Sequence, residues 1–428
     1  MDMKEDNKAI KKVFIGADKV CDRRKLDAQR IAIYFTKNGY EIVTNPKKAE
    51  IIIIFTCSVT NDIADISLNY VKKFMEYDGE LIVAGCLPET DKKVMDKIFT
   101  GKKFSAKEME KIDIFFPKHE IKFNQINDTN IPWINIDETR LSDVFKKIII
   151  RTKIGRKMYV YFIDYILKRI FGKNYLVLFQ FMSVLYNDYC IIRVSQGCLN
   201  NCAYCATKRA IGIHKSKPLA ECVKEFKIAL EKGFTNFVLT GDDTGAYGVD
   251  IDSSFPELLD KLTKINGFYT ITIHALNPNW VVKYIAEIEP ILRRGKIKII
   301  SIPVQSGSDR ILRMMHRFSC SKKIKEALVR VKKAYPELVL DTHVIVGFPG
   351  ESVDEFKETL ELIKEVGFDS GSLIPLSIRP DTEIENIKIR VPDPEIQRRL
   401  KIGRSYLSNL GYSTNKSLLG GIIFSKKN

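Results

Sequence analysis

Apolar and polar positions follow one another along the chain in blocks that predict a repeat of strands and helices. From residue 189 onward, six short β-rich apolar runs are separated by amphipathic stretches, such as 219–232 and 322–334. The runs are 191–195, 237–240, 270–274, 298–304, 339–346 and 372–377. Because helical patterns lie between the runs, the six repeats predict a parallel sheet that curves into a partial (βα)6 barrel.

The N-terminal part of the chain predicts a separate α/β unit with its own parallel sheet. Predicted strands lie at 12–15, 50–55 and 80–84, and predicted helices at 26–38 and 61–77. The fold class is therefore α/β, with two sheets in sequence. We expect four segments: an α/β domain at 10–103, an insertion at 104–188, the barrel at 189–390, and a C-terminal helix and tail at 391–428.

The composition is that of a folded protein with a basic surface. Apolar residues make up 45% and charged residues 29% of the 428 positions, which excludes a disordered or fibrous chain. Lys and Arg number 69 against 53 Asp and Glu, and this excess suits RNA or an acidic membrane surface as partner. The sequence shows no secretory signal and no apolar run of spanning length, so we expect a cytoplasmic protein without stable membrane insertion. In that compartment, cysteines are more often metal ligands or thiols than disulfides.

Three cysteines stand in one short loop directly after the first predicted barrel strand. Cys198, Cys202 and Cys205 have the spacing C-x3-C-x2-C. Three thiolates can bind three irons of a 4Fe–4S cluster and leave the fourth iron open. Zinc is the alternative, but a structural zinc site wants a fourth ligand, and His214 lies beyond a Lys- and Arg-bearing turn. Barrel active sites lie at the carboxyl ends of strands, so the position of the loop agrees with a catalytic cluster.

Three further cysteines each follow a predicted strand of the N-terminal unit. In a parallel sheet, Cys21, Cys57 and Cys86 would emerge along one carboxyl edge, where open α/β sheets bind ligands. We interpret them as a second three-thiolate site for a 4Fe–4S cluster, the alternative being three unrelated buried cysteines. The remaining cysteines have no ligand spacing and are interpreted as packing residues: Cys190, Cys222 and Cys320.

The cysteine motifs and the segments around them resemble the radical S-adenosylmethionine methylthiotransferases. Tyr204 precedes the last cysteine of the barrel loop, as an aromatic residue does in radical S-adenosylmethionine enzymes. Residues 21–27 look like the C-x2-N-x2-D opening of the family, with Arg24 where Asn is usual. Other segments similar to family signatures are TCSV at 56–59, AGCLP at 84–88, PVQSGS at 303–308, MHR at 315–317, VGFPGE at 346–351 and SIRPDT at 377–382. The resemblance covers residues 12–100 and 189–400.

One segment resembles a particular branch of that family. LTGDDTGAYG at 239–248 looks like the archaeal and eukaryotic branch, which acts on threonylcarbamoyladenosine beside the tRNA anticodon, and NPN at 277–279 fits the same branch. The residues that the resemblance assigns to substrate binding are Asp242, Asp243, Thr244 and Tyr247.

The resemblance also implies cofactors and chemistry. The cluster on Cys198, Cys202 and Cys205 would cleave S-adenosylmethionine, and the resulting radical would abstract hydrogen from carbon 2 of the adenine. The cluster on the N-terminal cysteines would present a sulfur that a second S-adenosylmethionine methylates before transfer. A flavodoxin or ferredoxin would supply electrons. Candidate cofactor-binding residues are Tyr204, Gln305, Ser306, Gly347 and Gly350.

Some of these positions also have plainer interpretations. The segments at 305–306 and 347–350 follow strands, where Gly, Ser and Pro commonly make tight turns. For Arg317 and Arg379 we expect solvated surface arginines as the default rather than contacts to an anionic group.

The sequence departs from the family pattern in two places. The family usually ends in a small β-barrel that grips tRNA, but only 28 residues follow Leu400, and 420–424 provides one strand at most. The segment 146–175 carries nine Lys or Arg and one acid, Asp164, interleaved with aromatic residues. We consider three interpretations of this segment: a substitute grip on tRNA, an amphipathic helix on acidic lipid, or a helical insertion packed on the barrel.

Three functions are compatible with these features. The first is a methylthiotransferase that acts on threonylcarbamoyladenosine in tRNA. The second keeps the chemistry but acts on a peptide or protein side chain, because the usual RNA-binding module is missing. The third is a non-catalytic iron–sulfur protein that binds RNA, which would form no 5′-deoxyadenosine.

Overall fold

The computed structural model describes residues 10–18, 20–131, 189–417 and 420–427. These residues form two compact units: the first holds the residues up to 131 except 59–62, and the second holds 59–62 with the residues from 189 onward. The basic segment at 146–175 lies outside the described residues, so its three interpretations stay predictions. Within the described ranges, no helix has both the length and the apolar character needed to cross a bilayer.

The first unit contains a five-stranded parallel sheet in the order β2-β1-β3-β4-β5. Its strands are β1 (Lys12–Gly16), β2 (Glu41–Val43), β3 (Ile51–Thr56), β4 (Glu80–Gly85) and β5 (Lys103–Ser105). Its helices are α1 (Asp22–Lys37), α2 (Asn61–Phe74), α3 (Leu87–Thr90), α4 (Lys92–Ile98) and α5 (Ile112–Phe115). The three predicted strands and two predicted helices are confirmed, and the sheet gains short strands at both edges.

The central strand β3 shows why this sheet is covered on both faces. All six of its residues are buried, and none is charged. Alternate side chains point to opposite faces of a strand. Ile53 and Phe55 accordingly belong to the core on one side of the sheet, and Ile52 and Ile54 to the core on the other side. This burial is typical of parallel sheets, and it fixes the strand ends from which the cysteines emerge.

The second unit is built on an eight-stranded sheet in the order β14-β15-β13-β12-β11-β10-β9-β6. Six consecutive neighbours are parallel, as predicted: β6 (Tyr189–Arg193), β9 (Asn236–Thr240), β10 (Thr270–Ile273), β11 (Ile297–Ser301), β12 (Val339–Val346) and β13 (Ser370–Pro375). A separate antiparallel pair consists of β7 (Ser195–Gln196) and β8 (Lys215–Ser216). The partial barrel of six βα repeats is therefore confirmed.

Helices follow the barrel strands and bury their apolar faces on the sheet. They are α6 (Thr207–Ile211), α7 (Leu219–Glu231), α8 (Phe255–Thr263), α9 (Pro278–Leu292), α10 (Asp309–Met314), α11 (Ser321–Ala334) and α12 (Val353–Val366). The sequence sets the ends of α12 clearly. Ser352 and Glu355 form a capping box at its start, and Gly367 ends it with a left-handed φ of 70°.

The C-terminal segment extends the barrel sheet instead of leaving it. Helix α13 (Asp393–Asn409) leads into a hairpin of β14 (Tyr412–Lys416) and β15 (Ile422–Lys426). Strand β15 pairs antiparallel with β13, and β14 pairs with β15. We expected only a helix and tail after residue 390, with a strand at 420–424 as part of a separate module. The structure places that strand on the edge of the barrel sheet.

Candidate active site

The three-cysteine loop lies at the carboxyl end of the barrel sheet, between β7 and α6. Cys198, Cys202 and Cys205 are all partly exposed. The loop is held by its own backbone, since the amide of Cys205 donates to the carbonyl of Cys202 at 3.0 Å. The ammonium of Lys208 donates to the carbonyls of Cys198 and of Asn200, the latter at 2.8 Å. These contacts fold the loop around its three cysteines.

A buried carboxylate anchors the first cysteine of the loop. Asn200 donates from its backbone amide to Sγ of Cys198 at 3.4 Å, and from its side-chain Nδ2 to Oδ2 of Asp243 at 2.6 Å. Asp243 is 2% exposed and also accepts from Nε1 of Trp280, at 3.0 Å to Oδ1. Burial raises the pKa of Asp243, while the bonds from Trp280 and Asn200 and the charge of Arg317 oppose that shift. Asp243 therefore acts from the end of β9 as a positioning residue for the loop.

Arg317 contacts the sulfur of Cys202, the second cysteine of the loop. Nη1 of Arg317 lies 3.8 Å from Sγ of Cys202, and its Nη2 donates to the carbonyl of Pro303 at 2.7 Å. Tyr204 interacts with Arg317 and with the loop cysteines. Burial raises the pKa of Tyr204, as do the nearby Cys202 and Cys205, while the charge of Arg317 opposes the rise. The expectation of a solvated Arg317 is wrong, because the turn after α10 turns this side chain toward the loop. Arg379 is also not a surface residue, since it is only 3% exposed.

The surroundings of Cys198 favour its neutral thiol until metal binds. Burial and the neighbouring charge of Asp243 raise the pKa of Cys198 to about 11. Since iron and zinc bind thiolates, metal loading must release this proton.

The donor set fits an iron–sulfur cluster better than a single ion. In the described parts of the chain, no three His, Cys, Asp or Glu side chains gather around one ion position. A tetrahedral zinc site needs such a gathering, whereas a 4Fe–4S cluster bonds each thiolate to a different iron. The barrel loop offers three thiols and no fourth ligand of its own. Such a loop would hold a cluster with one iron left open.

The N-terminal cysteines lie at the carboxyl edge of their sheet, as predicted. Cys21 precedes α1, while Cys57 and Cys86 directly follow β3 and β4. The amide of Cys86 donates to the carbonyl of Thr56 at 3.0 Å, which ties the two strand ends together. Cys57 and Cys86 are buried and Cys21 is exposed. Their role as ligands of a second cluster stays a prediction.

Two polar residues that the sequence did not indicate hold these strand ends. Oγ of Ser67, on α2, accepts from the amide of Cys57 at 3.1 Å and donates to its carbonyl at 2.7 Å. Thr90 donates to the carbonyl of Cys86 at 3.0 Å. Both hydroxyls are buried, so each bond forms in a region of low dielectric constant.

Three residues that follow barrel strands, at the carboxyl edge of the sheet, have a left-handed backbone conformation. Ala275 after β10 has φ 55°, Gln305 after β11 has φ 67°, and Gly347 after β12 has φ 86°. Such conformations cost free energy in non-glycine residues and cluster at functional sites. Gln305 is half-buried at this edge, which is compatible with a cofactor contact. Ser306 is fully buried and bonded within its turn, so its position favours the plain-turn interpretation.

The glycines after β12 have structural roles in this unit. A Cβ on Gly347 would lie 2.6 Å from the side chain of Ile396 on α13. The carbonyl of Gly350 accepts from Nη2 of Arg310 at 2.7 Å. Close packing of a helix on this turn therefore explains Gly347 without a ligand, and its proposed cofactor contact stays untested.

The residues predicted to bind substrate are mostly inside the unit. Oδ2 of Asp242 accepts from the amide of Gly197 at 2.8 Å, and Oγ1 of Thr244 donates to the carbonyl of His274 at 2.5 Å. Thr244 and Tyr247 are fully buried, and Tyr247 belongs to the barrel core. The placement of Asp243, Thr244 and Tyr247 favours shaping of the site over direct substrate contact. Of the four residues predicted to bind substrate, Asp242 alone is partly exposed.

Two protein-family models match the chain, one in each unit. The Radical SAM superfamily matches residues 192–363, and Uncharacterized protein family UPF0004 matches 19–105. In solved structures, the fold is similar to that of the radical S-adenosylmethionine methyltransferase TsrM from Kitasatospora setae, with a TM-score of 0.59, 10% identity and coverage of 96% of this chain and 81% of that one. The cobalamin-dependent radical enzyme OxsB gives a TM-score of 0.54 at 11% identity, with 97% and 64% covered. The barrel segment therefore matches the radical S-adenosylmethionine class of enzymes, and the fold agrees with that match.

The curated relatives of the chain have more specific names than the superfamily. A Pyrococcus horikoshii protein named probable threonylcarbamoyladenosine tRNA methylthiotransferase is 27% identical over 402 residues, covering 94% of this chain and 85% of that protein. The human threonylcarbamoyladenosine tRNA methylthiotransferase is 28% identical, with 90% and 61% covered. A Thermotoga maritima protein named ribosomal protein uS12 methylthiotransferase RimO is 26% identical, with 89% and 79% covered. Over most of its length, the chain is therefore similar to proteins named as methylthiotransferases, and its residues 192–363 match the Radical SAM superfamily.

Proposed function

We propose that this enzyme adds a methylthio group to carbon 2 of threonylcarbamoyladenosine beside the tRNA anticodon. The observation that carries this proposal is the similarity to Pyrococcus proteins named for that activity, which extends over 94% of the chain. The formal charge of +16 supports a polyanionic substrate. The site of action would be the cytoplasm, where tRNA is found.

Two 4Fe–4S clusters and S-adenosylmethionine are the cofactors of the proposal. Cys198, Cys202 and Cys205 would hold one cluster, and the second would bind to Cys21, Cys57 and Cys86. When bound, these groups supply the radical that activates a C–H bond and the sulfur that is inserted. Electrons would come from a small donor such as flavodoxin or ferredoxin.

The protein's own residues position this chemistry. Asp243 and Asn200 orient the Cys198 end of the loop, and Arg317 brings a positive charge to Cys202. Gln305, with its left-handed backbone, is half-buried at the same edge of the sheet. The barrel thereby fixes the loop before any substrate arrives, which lowers the cost of organising the site.

Mass spectrometry of tRNA tests the proposal. A strain that lacks this gene should lose the methylthio mark on threonylcarbamoyladenosine. The wild-type gene should restore the mark, and a gene with Cys198→Ala should not. Persistence of the mark in a strain without a redundant enzyme contradicts the tRNA assignment. A mass increase in a ribosomal protein or peptide that depends on Cys198 would support the side-chain substrate instead.

A further inference from the structure

A pocket between helix α13 and the C-terminal hairpin is lined by cations and carries no acid. Lys401 and Arg404 come from α13, and Lys416 comes from the end of β14. The other polar side chains of the lining are the neutral amides of Gln397 and Asn415. A concave surface with this lining is complementary to an anion.

The three cations are available to a ligand. All three are exposed, and none forms an ion pair within the described part of the chain. Nε of Arg404 donates to Oγ1 of Thr414 at 3.3 Å, which orients the guanidinium beside the hairpin. The carboxylate of Glu395, six residues before Lys401 on α13, is already bonded to Arg398 and Arg399. No neighbouring acid on this helix therefore neutralises the pocket.

The hairpin side of the pocket lies at the same edge of the sheet as the cysteine loop. Strand β15 is antiparallel to β13, and Ile422 at its start lies beside Leu373 near the carboxyl end of β13. Gly420 lies against Pro375, the last residue of β13. Lys416 pairs with Ile422 and so stands at that edge as well. In a barrel of this kind, the carboxyl ends of the strands carry the active site.

We propose that this pocket binds the phosphodiester backbone of the RNA substrate. This inference rests on the proposed function. It adds a region of the barrel unit that would contact RNA outside the candidate active site. Lys401, Arg404 and Lys416 would neutralise adjacent phosphates, and Gln397 and Asn415 offer amides for hydroxyl or phosphate oxygens.

Binding of tRNA by matched charge variants tests this inference. The test protein carries Lys401→Gln, Arg404→Gln and Lys416→Gln. The control carries Lys232→Gln, Lys261→Gln and Lys333→Gln, which remove the same charge from exposed positions at the C-terminal ends of α7, α8 and α11. These helix ends lie at the opposite edge of the sheet, because the helices run antiparallel to the strands. Iron content and thermal unfolding establish that both variants fold.

Fluorescence anisotropy with an unmodified tRNA transcript is measured over a series of salt concentrations. We expect the pocket variant to bind ~10–100-fold more weakly at low salt, with the slope of log K against log salt reduced by about 2, since each lost phosphate contact removes about 0.7. The control should stay within about twofold of the wild type. Equal weakening of both variants, or of neither, overturns the inference. Loss of binding to anionic vesicles with unchanged tRNA binding also overturns it, in favour of a lipid site. A wild-type protein that binds no tRNA instead refutes the proposed function.

Discussion

Asp243 and Asn200 share a 2.6 Å hydrogen bond that links the end of β9 to the cysteine loop. The same carboxylate accepts from Trp280 on α9, so three separate parts of the barrel meet at one buried acid. Asn200 in turn donates to the sulfur of Cys198. A single carboxylate thus sets the orientation of a proposed iron ligand through one intermediate side chain.

Asp243→Asn should weaken iron binding by the barrel loop. The substitution removes the charge and replaces one carboxylate oxygen by an NH2 donor, so Trp280 and Asn200 must share a single neutral oxygen, and a buried donor that loses its partner costs about 1–3 kcal/mol. We expect a loss of ~10–100-fold in cluster retention and in 5′-deoxyadenosine formation, the usual range for a residue that orients a metal ligand. Asp252→Asn removes the same charge from an exposed position and should leave both quantities unchanged. Equal behaviour of the two variants would contradict this role of Asp243.

Arg317→Gln should lower the reduction potential of the barrel cluster. Positive charge and hydrogen bonds near cluster sulfur stabilise the reduced state, and Arg317 lies 3.8 Å from Sγ of Cys202. Arg317→Lys keeps the charge but cannot reach both Cys202 and Pro303 with a planar fork, so its potential should fall between the other two. The potential is measured by redox titration with electron paramagnetic resonance in a Cys57→Ala background, so that one cluster gives the signal.

The exposed Arg313, on α10 just before the turn that leads to Arg317, provides the control for this series. Arg313→Gln changes the net charge by the same amount as Arg317→Gln but does so at an exposed position. An identical shift in both variants would show that the effect arises from overall charge, and the specific role of Arg317 would then be abandoned.

Cys57→Ala should halve the iron content of the reconstituted protein. Two three-cysteine sites predict about eight irons in the wild type and about four in the variant. Cys320→Ala, at a half-buried position at the start of α11, should keep about eight. Anaerobic iron and sulfide analysis gives both numbers. A Cys57→Ala protein that retains the full iron content would eliminate the second cluster.

The sequence predicts the long strands well because their signal is local. Strand β12 has the bounds that its apolar run indicated, and the other five barrel strands agree within a few residues. The edge strands β2 and β5 have three residues each, too few to show a period of two. Strand β14 reads YSTNK, a mainly polar segment, and it exists because β15 offers it a partner. Pairing of that kind cannot be deduced from a short window of sequence.

The candidate site shows the same division between local and distant signals. The three cysteines of the barrel loop lie within eight residues, so their spacing alone indicated a metal site. The partners of that loop are far away in sequence: Asp243 is 43 residues from Asn200, and Arg317 is 115 from Cys202. The charge and residue type of Arg317 do not predict that its side chain turns toward the cysteine loop. Asp242 and Asp243 belong to a segment that resembles a family motif. Only the structure shows that Asp243 anchors the cysteine loop through Asn200.

Glu355→Gln should destabilise the barrel unit at neutral pH and much less in acid. The carboxylate accepts from Nε and Nη2 of Arg310, both at 2.7 Å, and from the amide of Ser352 at 2.9 Å. The bond from Arg310 contributes most to a pKa of about 2 for Glu355, which is below its ordinary value of 4.5. A lowered pKa stabilises the folded state above the unfolded-state pKa, and that contribution is lost as the pH falls toward 2. Since Arg310 is half exposed, we expect a loss of about 1–2 kcal/mol at pH 7.

Chemical denaturation of the wild type and the Glu355→Gln variant measures this difference from pH 7 down toward pH 2. The difference should shrink steadily below about pH 5, because the carboxyl of the unfolded chain is then protonated. Glu358→Gln, one turn away in α12, provides a control of opposite sign. Burial and the charge of Glu355 raise the pKa of Glu358, so loss of its charge should leave stability unchanged or increase it at pH 7. A difference for Glu355→Gln that stays constant with pH would mean that the capping bond, and not the charge beside Arg310, stabilises the start of α12.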